Sequence, residues 1–435
     1  MKVALTTLGC RLNQFETMAI QELFERHHFE VVPFEEKADI YVINTCTVTA
    51  KSDAESRQVA RKAIKTNKDA FIAVVGCYSQ ASPDEVAALQ GVDLVLGNYE
   101  KLRIFDFLPY TLEKQATPIV AVGEMKDEVP LSPLRISHFS DHTRAFIKIQ
   151  DGCNANCSFC LITKARGPSR SETPEAVIEQ ARELVDRGYK EIVVTGVNMG
   201  TYGRDLRPRT TLAALIEKII EVNGLRKLRL SSIEPSEFSD ELIDIIARSD
   251  RICRHFHIPL QSGDDTILRK MSRRYTSSMY ADLIWKLNDR MPDMGLGADV
   301  MTGFPGESEA EFLNTYHFIE SLPFTYLHPF TYSQRHGTKA VGFPDHAPEP
   351  EKKRRTSIIK RLGTLKALAF KERHLGQTIE ALVENTRDPR TGHLRGITGN
   401  YLKVLTDGPD QLMNEFHQIK ILELKGDVLY GEGSW

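Results

Sequence analysis

Cysteine is scarce in this chain, with 7 among 435 residues. So few, and an odd number, exclude a scaffold stapled by disulfides. Long apolar runs are absent as well: nothing approaches the ~20 residues needed to cross a bilayer. Met1-Lys2 leads straight into the strand-like Val3-Ala4-Leu5, which argues against a signal peptide. A cytoplasmic location without membrane attachment is therefore expected, where free thiols persist. There is also no large excess of charge of one sign. The formal net charge is −3, so any surface for nucleic acid must be a local basic patch. Internal repeats are not evident. Composition is otherwise ordinary for globular protein, and 435 residues exceed what one core can organise.

The few cysteines are not scattered evenly. Cys153, Cys157 and Cys160 form a C-x3-C-x2-C array directly after the apolar run Ala145–Ile149. Three thiolates in so short a stretch can converge on soft metal ions. They fall one short of the four ligands that close a structural zinc site or saturate a cubane iron–sulfur cluster. The spacing i, i+4, i+7 would also suit a helix face, but Gly152, Asn154 and Asn156 favour a loop.

The three other spaced cysteines share a context. Cys10 follows the strand candidate Lys2–Leu8, Cys46 follows Ile40–Ile43, and Cys77 follows Ala70–Val75. Helical patterns lie between, which predicts a parallel sheet covered on both faces. In such a sheet all carboxy-terminal strand ends share one edge, where ligands bind. Three thiols distant in sequence are thereby expected at one place. Cys253 matches no ligand array and reads as a buried structural thiol.

Pattern divides the remainder of the α/β chain. Residues 1–112 form the first α/β domain, and 113–142 read as a proline-bearing linker, parts of which can pair as edge strands. Residues 143–372 repeat six strand–helix units, the signature of a partial (β/α)6 TIM-like barrel with its chemistry on the loops after the strands. Residues 373–435 switch to short alternating strands, which predicts a small antiparallel β-barrel. The helix Glu351–Lys371 carries Lys352, Lys353, Arg354, Arg355, Lys360, Arg361, Lys366 and Lys371. It is either a solvated face or a phosphate-binding patch.

Together these features resemble the methylthiotransferases of the radical S-adenosylmethionine (SAM) superfamily. The C-x3-C-x2-C array with Phe159 before its last cysteine is similar to that superfamily's signature. The second cysteine set and the domain order resemble the methylthiotransferases. The stretches Thr7–Gln14, Asn44–Thr49 and Ala165–Ser171 look like the members acting on N6-threonylcarbamoyladenosine in tRNA.

The resemblance implies two [4Fe–4S] clusters. Cys153, Cys157 and Cys160 would hold the one that cleaves SAM, and Cys10, Cys46 and Cys77 an auxiliary one that delivers sulfur. It implies SAM contacts on loops after the barrel strands, with Gly196, Asn198, Ser232, Glu234, Gln261 and Ser262 as candidates. It further implies a carboxy-terminal TRAM barrel that binds RNA, a tRNA anticodon stem-loop as partner, and an electron donor such as flavodoxin or ferredoxin. The sulfur donor stays unassigned. Arg166, Arg170, Arg273 and Arg274 are candidates for RNA or cofactor anions, or surface charge. Three alternatives stay open: the same chemistry on isopentenyladenosine, the same chemistry on a ribosomal-protein aspartate, or an iron–sulfur electron carrier that binds RNA.

Overall fold

A computed structural model describes residues 1–125, 136 and 142–433. The chain divides into two compact units. One comprises the described residues up to 125 with 150–172 and 333–342, and the other comprises 142–149, 173–332 and 343–433.

The first unit is built on a six-stranded parallel sheet. Its strands are β1 (Lys2–Thr7), β2 (Glu30–Val32), β3 (Ile40–Thr45), β4 (Phe71–Gly76), β5 (Leu94–Leu96) and β6 (Ile119–Ala121), in the spatial order β2-β1-β3-β4-β5-β6. Strands β3 and β4 are buried along their whole length, as covering both faces of a parallel sheet requires. Side-chain alternation divides the core in two. Ala4, Tyr41, Ile43, Ile72 and Val74 pack with Ala60 and Ala63 of helix Ala50–Thr66. On the opposite face Val3, Ile40, Val42, Phe71 and Ala73 pack with Ile20 and Phe24 of helix Arg11–Arg26. β6 lies in the stretch expected to be a linker, and it pairs as the sheet's edge strand. Residues 126–135 and 137–141 of that stretch lie outside the described residues.

A two-stranded clasp follows in sequence, β8 (Gln150–Asp151) against β9 (Arg170–Ser171). It closes the ends of the segment that carries Cys153, Cys157 and Cys160.

The second unit holds six parallel strands in two sheets: β11-β10-β7 and β12-β13-β14. They are β7 (Ala145–Lys148), β10 (Glu191–Thr195), β11 (Lys227–Leu230), β12 (His255–His257), β13 (Gly295–Thr302) and β14 (Tyr326–Thr331). An isolated parallel bridge between Leu228 and Ile252 links the halves. Helix starts are set by local chemistry. Thr173, Thr211, Ser239, Asp264, Thr276 and Ser308 each accept a backbone N–H in the first turn of the helix that follows, worth about 1 kcal/mol apiece.

The last five strands close into a barrel, β15 (Thr378–Arg387), β16 (Leu394–Thr398), β17 (Lys403–Thr406), β19 (Val428–Gly433) and β18 (Phe416–Lys425) in spatial order. The expectation of an antiparallel barrel needs one correction. β17 and β19 pair in parallel, while the other four pairings are antiparallel. A closed ring with an odd number of strands cannot alternate direction throughout, so one parallel pair is unavoidable.

Buried Arg229 on β11 joins this barrel to the strands. It donates to Glu191 (2.7 Å) and to the carbonyls of Thr398 (3.0 Å) and Gly399 (3.1 Å). Replacing Arg229 with Ala leaves Glu191 buried without its cation. The expected cost is about 3–5 kcal/mol, seen as a lowered denaturant midpoint; an unchanged midpoint would show the pair to be dispensable.

Candidate iron–sulfur and SAM sites

The carboxy-terminal edge of the first sheet gathers the amino-terminal cysteines, as the topology demands. Cys10 follows β1, Cys46 follows β3, and Cys77 opens the short helix Cys77–Ala81 after β4. The packing is close. Gly9 has φ +97°, and a β-carbon there would lie 2.6 Å from Cys46 Cβ and 2.7 Å from Cys46 Sγ. Only glycine satisfies both the conformation and the space. The thiols also feel one another. Burial pushes the Cys46 thiol up to about 11, with Cys77 and Cys10 adding to the rise. Burial likewise raises Cys10, opposed by the nearby Arg166 guanidinium. Cys10 is exposed, whereas Cys46 and Cys77 are buried.

The second set sits on an irregular loop, as its glycine and asparagines suggested. Gly152 takes φ +72°, where a β-carbon would stand 1.9 Å from the Pro168 carbonyl oxygen. Cys153 N–H donates to the Gly167 carbonyl (3.0 Å), and the Gln150 amide donates to Gly152 O (2.7 Å) and Ser169 Oγ (2.9 Å). Two backbone N–H groups address sulfur: Ala155 to Cys153 (3.3 Å) and Ile162 to Cys160 (3.4 Å). Donors of this kind favour thiolate over thiol.

Both sets of thiols lie in the same compact unit, and a polar network between them is buried. Glu16, on helix Arg11–Arg26, is its centre. It accepts from Lys101 Nζ (2.6 Å) and, through both oxygens, from Arg166 (2.9 Å each). Arg166 lies on helix Ile162–Arg166, just past the Cys153–Cys160 loop, and also binds Asp151 (3.0 Å) and Asn13 Oδ1 (2.6 Å). Asn98, after β5, donates to the Ala165 carbonyl (2.6 Å) and reaches Cys77 Sγ (3.5 Å). A third segment joins here. Arg335 binds Asp53 (2.6 Å) and Thr47 (2.5 Å) beside Cys46, while Ala340 N–H donates to the Ser158 carbonyl (2.8 Å) between Cys157 and Cys160.

Among the described residues, no three His, Cys, Asp or Glu side chains are grouped as ligands of a single metal ion. In a cubane cluster each thiolate binds a different iron, so ligands stand further apart than around one ion. Two sets of three soft donors, at strand ends and on a loop, suit two such clusters.

Comparison with known proteins identifies the family. The radical SAM superfamily model matches residues 147–319, and the model described as Uncharacterized protein family UPF0004 matches residues 2–97. The chain is 42% identical, over 100% of its length and 96% of the relative's, to a threonylcarbamoyladenosine tRNA methylthiotransferase of Bacillus subtilis. A tRNA-2-methylthio-N(6)-dimethylallyladenosine synthase of Fusobacterium nucleatum is 32% identical over 99% of each chain. The chain belongs to the radical SAM methylthiotransferase family. In fold it is similar to the radical SAM methyltransferase TsrM of Kitasatospora setae (TM-score 0.54, 16% identity, 76% of this chain and 74% of that one).

The SAM candidates of this family member lie in the second unit, on the loops after successive strands. Gly196 and Asn198 follow β10, Ser232 and Glu234 follow β11, and Gln261 and Ser262 follow β12. Ser232 Oγ pairs with His257 Nδ1 (2.7 Å), and His257 Nε2 stands 3.4 Å from Asp299. Glu234 is bound by Arg273; burial raises its carboxyl and the guanidinium opposes the rise. Gln261 adopts φ +63°, and its buried side-chain oxygen Oε1 has no hydrogen-bond partner, nor does the hydroxyl of Ser231. Such groups suit an absent ligand. Ser262 differs: its hydroxyl is fully buried against Thr315 (3.1 Å) and the Asp264 N–H (3.2 Å), a structural placement.

Several cations take roles other than those expected. Arg166 and Arg170 are buried beside Asp151, and Arg273 is bound to Glu234, so none of the three is surface charge; Arg274 is exposed. On helix Glu349–Glu372, Lys352 pairs with Glu349, Arg354 with Glu309 and Glu351, and Arg355 with Glu307. Lys366 and Lys371 donate to backbone carbonyls. The exposed remainder is Lys353, Lys360 and Arg361. Sequence reasoning missed Glu16, Asn98 and Lys101. The carboxylate of Glu16 falls on the buried stripe of its helix with Asn13 and Ile20, a signal that was present.

Gly9→Ala should displace Cys46 and remove about half of the iron that the reconstituted chain binds, leaving the protein folded. Full iron loading in this variant would show that the close approach is unnecessary.

Proposed function

We propose that the chain methylthiolates carbon 2 of N6-threonylcarbamoyladenosine beside the anticodon of tRNA. The observation that carries this reading is the adjacency of two three-thiol sets, linked through Asn98 and Arg166, in a chain alike from end to end to a threonylcarbamoyladenosine tRNA methylthiotransferase. Cys153, Cys157 and Cys160 hold one [4Fe–4S] cluster; Cys10, Cys46 and Cys77 hold the other. When bound, the clusters and SAM supply the electron, the radical, the sulfur and the methyl group.

The residues of the chain do the positioning. N–H donors from Ala155 and Ile162 orient the sulfurs of Cys153 and Cys160. Glu16, Arg166 and Lys101 keep the two thiol sets in register. Gly196, Asn198, Ser232, Glu234 and Gln261 contact SAM, with Ser262 shaping the Gln261 loop from behind. Carbon 2 of adenine is poorly activated for polar substitution, which suits a radical route. A base in an anticodon loop is already partly unstacked, so presenting it is less costly than extruding one from a duplex.

RNA backbone contacts fall to the carboxy-terminal barrel and to Lys353, Lys360 and Arg361. A flavodoxin- or ferredoxin-type protein serves as electron donor, and the cytoplasm is the site of action. Among the described residues, no helix is long and apolar enough to cross a membrane.

The decisive measurement is mass spectrometry of nucleosides from tRNA incubated with reconstituted enzyme, SAM and reductant. Conversion of threonylcarbamoyladenosine is expected; conversion of isopentenyladenosine instead would overturn the substrate assignment. Cys157→Ala should abolish 5′-deoxyadenosine formation, whereas Cys46→Ala should retain it and yield no methylthio product. Multiple turnovers by the Cys46 variant would refute the role of its triad. Changing Lys353, Lys360 and Arg361 together to Ala should flatten the salt dependence of tRNA binding by roughly 2–3 in log–log slope; an unchanged slope would remove this helix from the RNA surface.

A further inference from the structure

We propose that Asn98 is a positioning residue for the amino-terminal cluster, donating a hydrogen bond to Cys77 sulfur that raises the cluster's reduction potential. The proposal rests on the assignment of Cys10, Cys46 and Cys77 as ligands and goes beyond it. Asn98 occupies the strand-end position after β5, next along the edge from Cys77 after β4. Its backbone N–H is tied to Gln80 Oε1 (2.9 Å). Its side chain is 3.5 Å from Cys77 Sγ through Nδ2, 2.6 Å from the Ala165 carbonyl through the same nitrogen, and 2.7 Å from Lys101 Nζ through Oδ1.

These neighbours leave the amide one orientation. A lysine ammonium can only donate and a carbonyl can only accept, so Oδ1 must face Lys101 and the NH2 group must face Ala165. The second amide hydrogen is then available to the sulfur. The converse contact, from a Cys77 thiol to Oδ1, is longer at 4.0 Å. Lys101 cannot swing away, because it is fully buried and held by Glu16 at 2.6 Å. The donor is therefore preset before any cluster binds.

An N–H aimed at a cluster-bound thiolate stabilises the more negative, reduced state. A purely structural tether between Cys77 and Ala165 would leave the potential alone.

The test uses the full chain with Cys153, Cys157 and Cys160 all changed to Ala, loaded with iron and sulfide, so that only the amino-terminal cluster is present. Its midpoint potential is read by redox titration followed by electron paramagnetic resonance, with Asn98 intact, with Asn98→Asp and with Asn98→Leu. Both variants are expected to load a cluster and to titrate at a lower potential. At fixed ambient potential the reduced-to-oxidised ratio should fall about tenfold, about 59 mV for a one-electron couple. Unchanged midpoints in loaded variants would overturn the proposal. So would failure of both folded variants to load, which would make Asn98 a structural tether only. If the parent with Asn98 intact failed to load, the ligand assignment itself would fall, a distinguishable result.

Discussion

Two cations share one buried carboxylate in this protein, and much of the candidate site depends on that arrangement. Glu16 pairs with both Lys101 and Arg166 where water is excluded, and Asp151 supplies the second negative charge beside Arg166. Placing such charges inside is expensive, and mutual attraction offsets the cost only when the remaining donors and acceptors are satisfied. Here they largely are. Arg166 also binds Asp151 and Asn13, and Lys101 also binds Asn98. Burial lowers the lysine's affinity for its proton, and Glu16 opposes that shift without reversing it. Removing Glu16 would leave buried cations without their shared counter-ion.

That geometry is what radical chemistry needs from its protein. The reacting groups come from cofactors, so the chain must place two sets of thiols in fixed relation. Arg166 follows one set by a few residues, and Glu16 follows Cys10 within the first turns of one helix. A bidentate guanidinium–carboxylate pair transmits position better than a single contact, since two parallel hydrogen bonds define both distance and angle. Asn98 adds a second link that touches sulfur directly.

Legibility in the sequence varied with how local each signal was. The cysteine spacing was readable because few residue types bind soft metals and because three of the thiols recur after strands. The basic helix was read too simply: Lys352 and Arg355 look like solvent-facing charge in sequence, yet both are buried against glutamates. Glu16 meets partners 85 and 150 residues away, and no periodicity encodes a partner at that distance. The parallel pair between β17 and β19 escaped for a related reason, since it follows from ring closure and not from either strand's own pattern.

The sequence by itself determined the fold class, the six thiols with three-ligand spacing, and the edge of the first sheet on which Cys10, Cys46 and Cys77 meet. Chain direction and side-chain alternation are local properties, so parallel strands impose that edge without further information. Only the tertiary structure decided which charged residues are interior, that both thiol sets lie in one compact unit, and that Asn98 turns its amide nitrogen toward Cys77. Those outcomes depend on which donors and acceptors are left facing one another after packing. In a medium that penalises every unpaired charge, long-range pairing, not residue type, assigns the roles.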